Sequence, residues 1–347
     1  MYKKIWLEDL EQLVHTNNLP WDKLKYKTIL VTGASGLIGS SLIKGLMYAN
    51  QVLDLKLNIA ALVRNKTKAY EKFADFSNNS NVLTILQGDI GQKIEMGKKI
   101  DFIVHGASPT NSKYFVDKPV ETIKTAVNGT INMLELAKGN QVEGFVYLSS
   151  MEVYGAPQDE RLLSEKDVGY IDPLMIRNCY PQSKRQCEAL CAAYAGEYNV
   201  SATSVRLAQT FGPGVEKDDT RIFAEFARCI KNRDDIILLT DGSSKRCYLY
   251  TMDAITAILT VLLKGEKGKS YNVGNPKTYC SIREMAQMAA HDLADDKITV
   301  KIIENKECSK KFSPTHFYNL DIKAISDLGW KPTWGLRDMY LRMMESE

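Results

Sequence analysis

The chain has 347 residues, 44% of them apolar and 25% charged, with a formal net charge of +3. That is enough to bury one large core, or a main unit with a smaller one, while the small charge and the lack of clustered lysines and arginines argue against nucleic acid as a partner. No run of 18 apolar residues is present, so no membrane span is expected, and isolated basic pairs such as Lys310 and Lys311 read as solvated surface.

The first 26 residues have no continuous apolar stretch behind their lysines and do not read as a secretion signal. Trp6, Leu10, Leu13 and Val14 recur at helical spacing, which predicts a short helical extension packed on the main unit; a partner-binding arm is the alternative. From Lys27 onward short apolar runs alternate with helical patterns. Strands are expected at Ile29–Thr32, Asn58–Val63, Val82–Gln87, Phe102–His105, Phe145–Ser149 and Ala202–Arg206, and helices at Leu37–Ala49, Val120–Lys138 and Tyr180–Tyr198. This alternation predicts an α/β fold: a doubly wound, Rossmann-type parallel sheet over residues 27–208, binding its ligand beyond the carboxyl ends of the strands. After Gln209 the pattern loosens. FGPG and DGSSKR read as turns, Asp253–Leu263 and Ser281–Leu293 as helices, and Ile298–Ile303 as a strand. Residues 209–347 are expected to form mainly a smaller α/β substrate-binding region, with 236–264 returning to the dinucleotide-binding unit.

The stretch KTILVTGASGLIGSSLIKGL, beginning at Lys27, puts three glycines between a strand and a helix. Gly33 permits the tight turn, Gly36 lets backbone approach a pyrophosphate, and Gly39 lets the helix pack on the sheet, whose helix N-terminus favours phosphate charge. Gly33, Ser35, Gly36, Leu37, Ile38 and Gly39 are therefore the candidate phosphate-side residues of a dinucleotide site. An acidic residue after the second strand usually holds a free ribose 2′-hydroxyl. This chain has Arg64 there, beside Asn65 and Lys66, which suits the 2′-phosphate of NADP but also stacking on the adenine of NAD, so both forms stay open. After the third strand come Asp89 and Ile90, where a carboxylate can accept from the adenine amino group.

In CYPQSKRQCE, Tyr180 and Lys184 lie one helical turn apart on one face. A free tyrosine, with a pKa near 10, is a poor base; an adjacent ammonium is expected to lower that value and make Tyr180 able to take a proton from an alcohol as hydride leaves the same carbon. Seven scattered cysteines without a CxxC pair, and four dispersed histidines, give no metal pattern. Core packing of Cys187 and Cys191 in a reducing cytoplasm fits them best.

The glycine turn, the strand-end serines of FVYLSSMEVYG and the Tyr180/Lys184 pair, in this order, resemble the extended short-chain dehydrogenase/reductase superfamily from Lys27 to about Trp334. Its TGxxGxxG turn is matched by Thr32 to Gly39, its strand-end serine or threonine by Ser150, and its YxxxK pair by Tyr180 and Lys184. The runs HGASP, VNGTINMLELAK, RLAQTFGPG, YNVGNP and LGWKPT narrow the resemblance to the NAD-dependent epimerase/dehydratase enzymes that modify nucleotide sugars. The resemblance implies a tightly bound NAD or NADP touching Ala107 and Ser108 as well as the turn. It also implies a sugar-nucleotide site that includes Ser108, Arg177, Gln209 and Arg246, the last pairing with a phosphate as arginine does well. The 4,6-dehydratases carry an aspartate where this chain has Met151, which cannot transfer a proton. Galactose-type 4-epimerases do not usually carry the glutamate found here as Glu152, whereas UDP-glucuronate decarboxylases do, together with an ASP segment like Ala107–Pro109 and a run like Arg177–Tyr180.

The chain looks most like that decarboxylase branch, although Gln209 stands where an asparagine is common and Arg64 replaces the acid. Such an enzyme would oxidise sugar C4 with Tyr180 as base, lose carbon dioxide from C5, stabilise the resulting enolate with Ser150 and Tyr180, and take the hydride back, with Glu152 as a candidate proton shuttle. A 4-epimerase, an NADPH-consuming reductase pointed to by Arg64, and a non-catalytic dinucleotide-sensing module are the alternatives. The helices Val120–Lys138 and Tyr180–Tyr198 resemble the pair that forms a homodimer interface in relatives.

Overall fold

The computed structural model describes residues 4–16, 19–74, 82–110, 112–303 and 315–346; Lys310, Lys311 and Cys308 lie outside the described residues. It opens with helix α1 (Lys4–Val14), which packs its buried Ile5, Leu10, Leu13 and Val14 onto the next helix. Strand β1 (Thr28–Thr32), helix α2 (Leu37–Leu53), β2 (Asn58–Val63), α3 (Lys66–Phe73) and β3 (Leu83–Gln87) make the first half of a sheet. The chain then crosses back to β4 (Phe102–His105), and α4 (Ser112–Asp117), α5 (Pro119–Asn140), β5 (Gly144–Ser150), α6 (Cys179–Tyr198) and β6 (Ala202–Leu207) build the other half. All pairings in this sheet are parallel. Its seven strands run 10-6-5-4-1-2-3, so the order reverses between β1 and β4. A crevice opens at such a reversal, outside the carboxyl ends of the strands. All five residues of β1 and all four of β4 are buried, as expected of strands covered on both faces.

Beyond β6 come β7 (Gln209–Phe211), α7 (Ile222–Asn232), β8 (Ile236–Leu238), β9 (Lys245–Tyr250), α8 (Thr251–Lys264), β10 (Ser270–Val273) and β11 (Asn275–Ser281). Helix α8 is buried along its length from Thr251 to Leu263 and packs on β5 and β6, while β10 joins the main sheet beside β6. Strand β9 instead anchors a small sheet with β7, β11 and β13 (Phe317–Tyr318), and β8 pairs with β12 (Val300–Ile302). Helix α9 (Ile282–Met288) starts on a capping box in which Ser281 and Glu284 exchange hydrogen bonds. The helix expected over Ser281–Leu293 is thus regular only to Met288; Ala289–Leu293 continue it as one wider π turn.

Candidate active site

The first wall of the crevice is the glycine turn. Gly33 has φ +67°, and a Cβ there would come within 2.7 Å of the Gly106 backbone at the end of β4. A Cβ on Gly39 would overlap the Gly33 carbonyl oxygen, so only glycine lets α2 sit this close to the turn. Gly36 caps α2 without any side-chain bond, and a Cβ on it would meet nothing but the Gly33 carbonyl oxygen, at 3.3 Å. The first amides of α2, at Leu37 and Ile38, have no acceptor within the helix and lie at its positive end, an arrangement that fits a pyrophosphate. Lys72 of α3 donates to the Ser35 carbonyl at 3.0 Å and pairs with Glu216 at 2.6 Å, tying the turn to the loop after β7.

Arg64 stands exposed two residues past Leu62, which is level with Thr32 of β1. Gln87 donates to its carbonyl at 3.4 Å, and among the described residues its guanidinium forms no ion pair. Asn65 caps α3 by accepting from the Lys68 amide. Asp89 accepts from the Gly91 amide at 2.8 Å, and the Ile90 carbonyl accepts from Asn132 at 2.9 Å, which fixes this loop against α5.

The reacting groups gather at the other wall. Tyr180, in the first turn of α6, is 8% exposed and lies flat on Phe115 of α4, ring centroids 4.3 Å apart. Lys184 is buried one turn further on; its ammonium donates to the Leu148 carbonyl at 2.6 Å and sits 5.6 Å from the Tyr180 ring centre. Ser150 ends β5 beside Tyr180 and accepts from the Glu152 amide at 3.2 Å. Glu152 in turn accepts from Arg177 at 3.1 Å. Met151, between them, is buried in the core rather than turned to the site.

Burial pushes the Tyr180 phenol well above its ordinary value, and the Glu152 charge adds to the rise; the Ser150 hydrogen bond and the charges of Arg177 and Arg221 oppose it. The expected lowering by Lys184 does not figure among these influences: its ammonium is held by the Leu148 carbonyl, and the phenol is desolvated. Burial also lowers Lys184, to about 8, against the opposing pull of Cys187, Glu188 and Glu152.

Behind these groups runs a buried network that the sequence pattern did not reveal. Ser149 donates to Glu188 at 2.5 Å, Glu188 pairs with Arg206 at 2.7 Å, and Arg206 donates to the Tyr154 hydroxyl, which donates to Asn272. A buried ion pair is costly unless its remaining hydrogen bonds are satisfied; here they are, and the network ties β5, β6, β10 and α6 together. Glu188 is two helical turns past Tyr180, so helical spacing was the signal that could have found it.

Arg246 lies on β9, level with Tyr318 of β13. Its Nη2 donates to His316 Nε2 at 2.8 Å, while its buried Nε has no partner among the described residues, leaving a donor for an anionic oxygen. Nothing in the spacing of the chain hinted at His316. Burial pushes the Tyr318 phenol up, and the charges of Glu152, Arg246 and Arg177 all act on it. Gln209 on β7 is level with Tyr248, two residues along β9 from Arg246. Ser108 donates to the Pro109 carbonyl at 3.3 Å, and the Ala107 amide donates to Thr32. Among the described residues no cluster of histidine, cysteine and carboxylate side chains could hold a metal, and no helix is long and apolar enough to cross a membrane.

UDP-glucuronic acid decarboxylase 4 of Arabidopsis thaliana is 30% identical to this chain over 316 residues, 91% of the chain and 67% of that protein. UDP-glucuronic acid decarboxylase 6 of the same plant is 29% identical over 324 residues, 92% of the chain and 88% of that protein. Among solved structures, an epimerase from Methanothermobacter thermautotrophicus superposes with a TM-score of 0.79 at 21% identity, covering 95% of each chain. A dTDP-glucose 4,6-dehydratase from Streptomyces venezuelae, with NAD bound, gives 0.74 at 22% identity over 92% of this chain and 96% of its own. At that identity the likeness concerns the fold. The model of the NAD dependent epimerase/dehydratase family matches residues 29–274, from the first buried strand through the last strand of the main sheet, and this chain belongs to that family.

Proposed function

We propose that the chain is a nucleotide-sugar enzyme that oxidises sugar C4 transiently and acts as a UDP-glucuronate decarboxylase. The observation that carries this reading is the cluster of Ser150, Glu152, Arg177, Tyr180 and Lys184 in one cleft, with Met151 turned away into the core. The likeness of about nine-tenths of the chain to UDP-glucuronic acid decarboxylases supports it.

A bound nicotinamide dinucleotide supplies hydride acceptance at C4 and its return. The residues of the chain do the rest. Gly33 to Gly39 hold the pyrophosphate, and Arg246 with Gln209 and Ser108 holds the sugar nucleotide. Tyr180 takes the proton of the 4-hydroxyl, and the Lys184 ammonium keeps the resulting phenolate from being stranded in an apolar wall. Once carbon dioxide has left C5, negative charge rests on the 4-oxygen, where Ser150 and the protonated Tyr180 donate to it. Glu152, oriented by Arg177, moves the proton at C5. A hexose without a carboxylate could turn over in the same cleft and undergo 4-epimerisation.

Arg64 favours a second reading, net reduction by NADPH, because arginine suits a 2′-phosphate and among the described residues no carboxylate pairs with it. The deciding measurement is the dinucleotide released by heat from freshly purified protein, followed by incubation with UDP-glucuronate. Stoichiometric retained dinucleotide with release of carbon dioxide supports the decarboxylase. Retained dinucleotide without carbon dioxide, but with interconversion of UDP-hexoses, replaces it by the epimerase. A chain that is purified empty and oxidises NADPH in the presence of a keto substrate overturns internal redox.

A further inference from the structure

Thr32 at the end of β1 and His105 at the end of β4 are level in the sheet and both buried. Their side chains meet, Thr32 Oγ1 to His105 Nδ1, at 2.7 Å, and His105 Nε2 lies 3.2 Å from the Thr130 hydroxyl of α5. Proton accounting along this path has one solution. The single Thr130 proton goes to the Ala126 carbonyl at 2.7 Å, the shorter and stronger of its acceptors, the other being the Cys187 sulfur at 3.2 Å. Toward His105, then, Thr130 can only accept, which places the imidazole proton on Nε2. Nδ1 is left with a lone pair, and Thr32 donates to it. The two lone pairs of the Thr32 hydroxyl oxygen are then taken by the Ala107 amide and by the Gly106 amide, each at 3.2 Å, the latter shared with the Thr32 backbone carbonyl, also at 3.2 Å.

We infer that His105 is a positioning residue for the dinucleotide site: held as the neutral Nε2–H tautomer by Thr130, it orients the Thr32 hydroxyl, which draws the Gly106–Ala107 turn onto the glycine turn. The two turns are in contact, since the missing Cβ of Gly33 points at Gly106 at 2.7 Å. An imidazolium would present N–H on both sides. Thr32 would then have to accept from His105 as well, and with only two lone pairs its hydroxyl would release one of the two amides; Gly106 keeps the Thr32 carbonyl, whereas Ala107 is held by the hydroxyl. The surroundings hold the ring neutral: burial, and behind it the Lys184 charge on α6, lower its pKa to about 3, and Phe145 and Tyr147 of β5 tilt against it at 6.2 and 5.6 Å. The inference rests on the dinucleotide reading of the turn and not on the sugar chemistry.

Nitrogen NMR of the full chain, labelled at its four histidines, with His105 identified by its loss in His105→Phe, reads the tautomer directly. Protonated Nε2 and bare Nδ1, unchanged from pH 5 to 9, are expected; an Nδ1–H tautomer, or titration in that range, overturns the inference. Calorimetric titration with NAD and NADP supplies the second readout. His105→Phe and Thr32→Val should each weaken binding about tenfold, the loss of one buried hydrogen-bond path, and the double variant should be no weaker than the worse single. Additive losses, or a fall in melting temperature with unchanged dinucleotide affinity, overturn the positioning role. If His105→Phe does not fold, Thr130→Val removes the acceptor that sets the tautomer, and it should shift the imidazole resonances and weaken binding together; unchanged resonances or unchanged binding would overturn the inference. An unaltered chain that binds neither dinucleotide removes the dinucleotide reading and this inference with it, whereas normal binding with the wrong tautomer removes the inference alone.

Discussion

Two adjacent serines end β5, and the pleat of the strand gives them different tasks. Successive strand side chains point to opposite faces, so Ser149 turns down to Glu188 while Ser150 reaches Tyr180. Ser150, Tyr180, Lys184 and Glu152, which the sequence motif picks out, lie near one another because each is local to the others or tied to them by one strand and one helix. Ser149 with Glu188, and Arg246 with His316, are 39 and 70 positions apart, and no local pattern reports such pairs. Tyr180→Phe should lower kcat by roughly 10²–10⁴-fold with melting temperature near that of the parent, as loss of a general base does; a loss below tenfold in steady-state assays would assign the proton to another group. Lys184, with its pKa at about 8, is a cation below that pH and loses its charge above it. The kcat profile should therefore fall on the alkaline side near pH 8, and in Lys184→Arg any remaining activity should hold to higher pH, since arginine does not deprotonate in this range. A fall at the same pH in both proteins would put the limb on a different group.

Elements were legible where the period was strong. The strands Asn58–Val63 and Phe102–His105 match the sequence expectation end to end, and the other main-sheet strands expected from sequence differ only at their ends. The π turn after Met288 carries no mark in the chain that we can name. Gly39 shows how one element depends on a missing atom: Gly39→Ala should abolish dinucleotide binding in a titration and lower the melting point, because α2 must move off the Gly33 carbonyl to admit the Cβ. At the other end of the molecule, Asp253 in the first turn of α8 accepts from the amides of Thr333 and Trp334, yet burial raises its carboxyl to about 6. A group whose folded-state value is raised adds stability that is full below its unfolded value near 3.8 and is lost as pH rises through about 6. Between pH 4 and 7 the parent should therefore lose about 2 kcal/mol relative to Asp253→Asn in urea unfolding curves. Parallel pH dependences in the two proteins would show that Asp253 is ionised without cost.

On the scale of the whole chain, the sequence conveyed the doubly wound sheet but not how the later segments interleave with it. Strand β10 enters the main sheet and β9 the small one because pairing partners are chosen by long-range packing, which periodicity cannot see. The two termini are joined in the same way. Asp9 of α1 accepts from Tyr250 at 2.6 Å and from Arg342 of the C-terminal helix Leu336–Glu345 at 2.7 Å, all three buried. Removing one partner of a buried ion pair strands the other. Arg342→Leu should thus cost about 3–5 kcal/mol in chemical unfolding, while Asp9→Asn together with Arg342→Leu should recover part of it.

That joint also sets an order on assembly. Arg342 lies 333 positions after Asp9, so during synthesis α1 is made first and its acid has no counter-charge for roughly tens of seconds, at 5–20 residues added per second. The helix that carries Asp9 waits on the one that carries Arg342, and its acid can go dry only once that later helix has been made.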